Sequence, residues 1–267
     1  MDWHLLGWLA VLLYALAEVL SIVALLRPRG WGAAPAALGA ALVLQFVDLE
    51  VRARALGSVP YRTLAGSMSL FGWMLGVAYL ILLARHRERA IGPFLIPFVI
   101  LFSTVGLLIP FRPSPPRPET QGVLFALHVT LAILGYAAFT LSFVLSLLYL
   151  IQSRQIRRAR TGVLFSRLPA LEVIGRMNRT AVSIGVAALL VSVALGAVWA
   201  RRVWSGVGDA KLAWAVFTLL LYAFLLWKDR HGWKGQRVAV LSLVGFGLVI
   251  FSYTFVNLYF SHAHTFR

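Results

Sequence analysis

The sequence predicts an all-α fold: a polytopic integral membrane bundle of eight transmembrane helices, with both termini on the outer (periplasmic or extracytoplasmic) side. Three observations predict it. The chain of 267 residues is 60% hydrophobic, more apolar surface than a soluble domain of this size hides. Its apolar residues fall into runs near the roughly 20-residue length that crosses a bilayer as helix. Its basic residues are distributed unequally between the links joining those runs.

The runs are Trp3–Leu26, Gly32–Val47, Leu64–Ala84, Ile91–Pro110, Gly122–Ile151, Thr180–Ala200, Leu212–Trp227 and Val238–Phe260. The first lacks a basic leader and a small-residue cleavage site, so it is expected to be a retained span and not a signal peptide. With both ends outside, the inner links carry 16 of the 25 Lys and Arg residues and the outer segments nine. Basic residues stay preferentially on the cytoplasmic side, so this count sets the orientation. The formal charge of +16 is therefore read as topology and not as nucleic-acid binding. Lipid phosphates are the alternative partners of the outer basic residues. Absence of cysteine excludes disulfides, thiol chemistry, Cys-ligated zinc and covalent haem attachment through C-x-x-C-H, and makes nitrogen and oxygen the expected ligand atoms.

The outer link Phe111–Gln121 is too rich in proline to be helical throughout. It divides a four-span half (1–110) from a second four-span half (122–267). The fifth run, at 30 residues, is about 45 Å of helix against about 30 Å of hydrocarbon, so it must tilt or project. The inner segment 152–179 is long and basic. Within it "LPALEVIGRMNR" spaces Leu168, Leu171, Ile174 and Met177 by threes, which predicts a short amphipathic helix on the cytoplasmic surface.

Six histidines are available for chemistry. His86 and His231 lie in charged inner links and read as solvated, and His4 has no evident partner. His128 shares a helix face with Ala132, Gly135, Ser142 and Ser146, all within about 40° of it. Small residues mark where membrane helices pack closely, so His128 is expected to face the bundle interior. In "SHAHTFR", an extension of the last helix puts His264 on the polar face of Asn257, Tyr253 and Ser242. His262 falls on the apolar face of Leu258, Phe255 and Phe251. Residues two apart on a helix diverge by about 200°, so His264 is the stronger ligand candidate and His262 the alternative. Two imidazoles from distant spans at one membrane face suit the opposite sides of a haem iron. The segment "VWARRVWSGVGDAKLAW" adds Trp199, Trp204 and Trp214 as flat surface, and Arg201, Arg202 and Lys211 as cations for propionates. Arg52, Arg54 and Arg62 are further cations on that side.

Three stretches resemble one family. "LHVTLAILGYAAFTLSF", "LPALEVIGRMNR" and the closing half, from "GAVWARRVW" through "FVNL" to "HTF", are similar to the cytochrome c assembly proteins of the CcsA, CcmC and HemX type. The resemblance runs from about Gly122 to the end; earlier spans match in hydropathy and around Pro60–Trp73. It implies two outward histidines that bind non-covalent haem b, here His128 and His264, flanking a tryptophan-rich segment. Of that segment Trp204, Asp209 and Lys211 match, whereas "WSGVGDAK" is two residues short, lacks two tryptophans and has Ala210 in place of proline. The size and short segment look most like the HemX branch, linked to control of the level of glutamyl-tRNA reductase. The resemblance implies haem handling without substrate turnover in the inner or plasma membrane. Its implied partners are haem and either a second cytochrome c assembly subunit or a cytoplasmic haem-synthesis enzyme. Two other readings stand beside it: a regulator acting through segment 152–179 without stable haem, and a secondary transporter using Glu18, Asp48 or Glu50.

Overall fold

The computed structural model describes residues 3–27, 33–56, 59–110, 122–159, 162–203, 210–233 and 235–251. All its regular structure is helical. The elements are α1 (Trp3–Leu26), α2 (Ala33–Leu56), α3 (Leu64–His86), α4 (Gly92–Leu108), α5 (Val123–Arg157), α6 (Val163–Arg167), α7 (Leu171–Val203), α8 (Ala210–Arg230) and α9 (Gln236–Phe251). A 3-10 turn, Pro60–Arg62, precedes α3. Among the described residues six helices are long and apolar enough to span a membrane: α1, α2, α3, α5, α7 and α8. Gly92–Leu108 and Gln236–Ile250 are shorter apolar helices.

The chain divides into two compact units. The first comprises Met1–Ser114 with Gln152–Val173. Its α1 is apolar on most of its circumference, so packing is decided largely by side-chain size. Ala10, Tyr14, Ala17, Ser21 and Ala24 form the buried stripe, answered on α2 by Ala34, Leu38, Ala41, Gln45, Asp48 and Arg52. This spacing alternates three and four, as in left-handed helix pairs. The α3–α4 contact is closer. A Cβ at Gly72 would lie 2.6 Å from Ser103 Oγ and 3.0 Å from Ser103 N, so glycine permits backbone to touch backbone. Thr63 caps α3 by accepting from Gly66 N (3.0 Å). Arg87, at φ 56°, ends it in the left-handed conformation.

Several polar side chains buried in this unit are satisfied across helices. Tyr14 donates to Gln45 Oε1 (2.6 Å), and Gln45 Nε2 donates to Ser69 O (3.0 Å) and Ser103 Oγ (3.1 Å). Helix α2 continues to Leu56, beyond the expected end at Val47. It carries its charged end by pairing within itself. Arg52 holds Asp48 through both nitrogens (2.6 and 3.0 Å), and Arg54 approaches Glu50 at 3.6 Å.

The second unit comprises Pro115–Ile151 with Ile174–Arg267. Its core gathers Phe139, Val182, Leu189, Leu219, Tyr222, Leu225, Val238 and Val249. Phe139 stacks on Tyr222 with centroids 3.6 Å apart. The small stripe expected on α5 is real, since Gly135, Ser142 and Ser146 are buried. At Gly135 a Cβ would lie 3.3 Å from Gly185 O, so α5 and α7 approach through paired glycines.

One expectation is corrected. "LPALEVIGRMNR" is not a separate surface helix. From Leu171 it forms the opening turns of the 33-residue α7, with Ile174 and Met177 fully buried. Their spacing by threes marks a face packed on protein, which hydrophobic periodicity alone does not distinguish from a face laid on lipid. The fifth run also extends further than predicted, from Val123 to Arg157, or 35 residues.

Candidate functional site

His128 lies in the second turn of α5. Across from it on α7, Ser192, Gly196 and Trp199 recur at spacings of four and three and therefore share one helix face. The two helices are joined here by three polar contacts. His128 Nδ1 lies 2.8 Å from Ser192 O and 3.2 Å from Ser192 Oγ, and Ser192 Oγ donates to His128 O at 2.8 Å. These contacts fix the tautomer. A carbonyl oxygen only accepts, so Nδ1 carries the proton. The serine's one hydroxyl proton goes to His128 O, so its oxygen meets Nδ1 as a second acceptor. Nε2 is left as the nitrogen with the lone pair. This is the arrangement of a metal-binding histidine, whose other nitrogen donates to a carbonyl that orients the ring.

The ring needs space on α7, and Gly196 provides it. A Cβ there would lie 2.6 Å from His128 Cε1 and 2.7 Å from Nδ1. Beside the ring stands an aromatic wall. Phe125, one turn earlier on α5, has its centroid 6.4 Å from His128 and 4.9 Å from Trp199. Trp199 is 8% exposed and so is a packed part of this wall.

Of the residues marked in the sequence, the structure brings His128 and Trp199 together. Trp214 lies in the first turns of α8, edge-on to Phe217 with centroids 5.5 Å apart. Arg201 is exposed near the end of α7, and the backbones of Arg202 and Lys211 lie in α7 and α8. Trp204, Asp209, His262 and His264 lie outside the described residues. The partners Ser192, Gly196 and Phe125 were not singled out from sequence. Their signal was the regular spacing of Ser192, Gly196 and Trp199, which names the face of α7 turned toward α5.

The acids marked for transport behave differently from one another. Asp48 and Glu50 are paired with arginines of their own helix. Glu18 keeps a buried Oε2 without a hydrogen-bond partner. Arg52 is held by Asp48 in a buried pair, whereas Arg54 approaches Glu50 at 3.6 Å on an exposed face.

Residues 61–264 match the family model described as cytochrome C assembly protein. The chain is 27% identical over 239 residues to the cytochrome c biogenesis protein CcsA of Chlamydomonas reinhardtii, covering 86% of this chain and 67% of that protein. It is 27% identical over 253 residues to CcsA of Porphyra purpurea, covering 79% of each. It is 28% identical over 199 residues to protein HemX of Bacillus subtilis (strain 168), covering 69% of this chain and 68% of HemX.

Proposed function

The chain belongs to the cytochrome c assembly protein family, and from that premise we propose that it is a haem-holding membrane protein of cytochrome c biogenesis. The observation that carries this reading is the 2.8 Å contact of His128 Nδ1 with the Ser192 carbonyl. It leaves a neutral imidazole with Nε2 as the donor atom, which fits haem iron. His264 is the proposed second ligand, with His262 as the alternative. Trp199, Trp204 and Trp214 would supply aromatic surface, and Arg201, Arg202 and Lys211 would meet propionates, with Asp209 in the linking segment. Haem b is the proposed cargo, held without a covalent bond. When bound, it would supply an iron centre for these imidazoles to hold.

The residues' own work is binding and orientation. Ser192 sets the ring of His128 and its tautomer. Gly196 leaves the ring its place, and Phe125 with Trp199 closes one side against the apolar surroundings. No substrate turnover is proposed. The proposed topology has eight spans, with α4 and α9 as the two shorter ones. Both termini are outside, the halves are 1–110 and 122–267, and the bilayer is the inner or plasma membrane. A partner subunit of cytochrome c assembly would receive or supply haem. The test is haem stoichiometry in purified protein. Replacement of His128 and His264 together by Ala is expected to abolish binding, and unchanged stoichiometry would reject the site.

The HemX relative favours a second reading. A membrane regulator of tetrapyrrole synthesis would act on a cytoplasmic haem-synthesis enzyme through the segment between α5 and α7. Replacing residues 158–169 by a Gly/Ser linker separates the two. It abolishes regulation under this reading and leaves haem binding intact under the first.

A further inference from the structure

The far end of the second unit carries a separate feature. Along α5, Tyr149 lies 21 residues, about 30 Å, from His128. Its hydroxyl occupies the space into which a Cβ on Gly235 would project, so the α8–α9 hairpin lies at this opposite end. The hairpin is held in one shape. His231 N and Trp233 N both donate to carbonyls of the last turn of α8, Trp227 O (3.0 Å) and Lys228 O (2.9 Å). Gly232 and Gly235 take positive φ, 105° and 68°.

Within this hairpin Lys228 Nζ sits over three rings: Trp227 at 4.7 Å, Trp233 at 5.3 Å and Phe224 at 5.5 Å. The Arg237 guanidinium lies over Trp233 at 5.9 Å. The only acid between Lys228 and Arg237 is Asp229, and it is bound to Arg179 of α7. Two oriented cations are therefore left without compensation from their own hairpin. Beside Arg237 and Trp233, the ring that Lys228 also covers, opens a groove of about 790 Å³. Trp233, Gln236 and Arg237 form its head, and Val240, Leu241 and Val244 its wall. The wall residues follow Arg237 at helical spacing, so an apolar strip descends about 10 Å from the cations along α9. Val240 and Val244 are 45% and 51% exposed.

We propose that this groove is a binding site for an anionic phospholipid of the adjoining leaflet, its phosphate held by Lys228 and Arg237 and one acyl chain lying on Val240, Leu241 and Val244. The occupant is set by charge and shape together. A cationic head is backed by aromatic rings, as suits a lipid–water boundary, and the wall below it is purely aliphatic. A soluble anion uses the head and leaves the wall bare. A zwitterionic lipid uses the wall and carries no net charge to the head. The site is independent of the haem reading, sharing no residue with it.

The test is tryptophan quenching in the full-length protein in maltoside micelles by phospholipids brominated on their acyl chains. Phosphatidylglycerol is expected to quench at lower concentration than phosphatidylcholine, by about fivefold for each cation engaged. The difference is expected to shrink in Trp233→Phe, which removes one reporter and leaves Trp227 beside Lys228, and to disappear in the double variant Lys228→Gln/Arg237→Gln, which removes the charge. The charge-preserving pair Lys228→Arg/Arg237→Lys is expected to keep it, which separates lost charge from lost fold. Equal quenching by the two lipids, or a preference unchanged in the double Gln variant, would overturn the proposal. So would displacement of brominated phosphatidylglycerol by glycerol phosphate as effective as by the intact lipid, because the wall would then contribute nothing. Displacement by protoporphyrin at lower concentration than by phosphatidylglycerol would overturn the lipid assignment.

Discussion

His128 of α5 and Ser192 of α7 exchange contacts in both directions: the imidazole Nδ1 meets the serine carbonyl at 2.8 Å, and the serine hydroxyl donates to the histidine carbonyl at 2.8 Å. The first contact selects the tautomer and the second ties the two helices. They are expected to separate on mutation. Ser192→Ala removes the hydroxyl and keeps the backbone carbonyl, so Nδ1 remains protonated. The expected cost is that of one interhelical hydrogen bond in a membrane, about 0.6 kcal/mol, measured by unfolding in mixed micelles. Haem retention should stay within about threefold, the factor to which that energy corresponds.

Gly196→Ala is the sharper perturbation. Alanine is the better helix former by about 1 kcal/mol, so local helix stability rises. Its Cβ would nevertheless stand 2.6 Å from His128 Cε1, and the ring must leave its place. The expected outcome is a helical, monodisperse protein that loses haem affinity by at least about tenfold, the effect of displacing one orienting contact around a metal ligand. Haem titration beside circular dichroism checks both halves.

In the first unit the Asp48–Arg52 pair is buried, at 1% and 9% exposure, and Gly7 of α1 makes room for it. Arg52→Ala takes the arginine charge away from a buried carboxylate and is expected to cost about 3–5 kcal/mol. Adding Asp48→Ala removes the remaining charge and is expected to recover a large part of that loss. A double-mutant cycle measured by unfolding in mixed micelles checks this; a double variant worse than Arg52→Ala contradicts it.

Sidedness has a direct check because the chain has no cysteine. Val123 is 73% exposed before His128 on α5, and Arg158 is exposed just past the other end of that helix. With a single cysteine at either position, an impermeant maleimide added to intact cells is expected to label position 123 freely and position 158 only after lysis. The reverse pattern contradicts the proposed orientation.

The helices were legible because bilayer-length apolar runs carry a strong signal, and the α5 small stripe because close helix packing demands small residues. Helix ends were less legible. Helix α2 runs past Val47 because its charged residues pair within the helix, and hydropathy counts those charges without seeing the pairs. The Ile174–Met177 face was assigned to lipid because periodicity reports that a face is apolar and not what covers it. At the site, His128 could be read from one helix alone. Ser192 and Gly196 could not, because their role exists only once α7 lies against α5.

The most direct measurement of the central claim is the visible spectrum of the purified protein with haem. The account predicts the low-spin signature of two axial imidazoles in the wild type. That signature should be lost in His128→Gly and regained when free imidazole is added to fill the vacated place. A bis-imidazole spectrum that persists in His128→Gly without added imidazole contradicts the account.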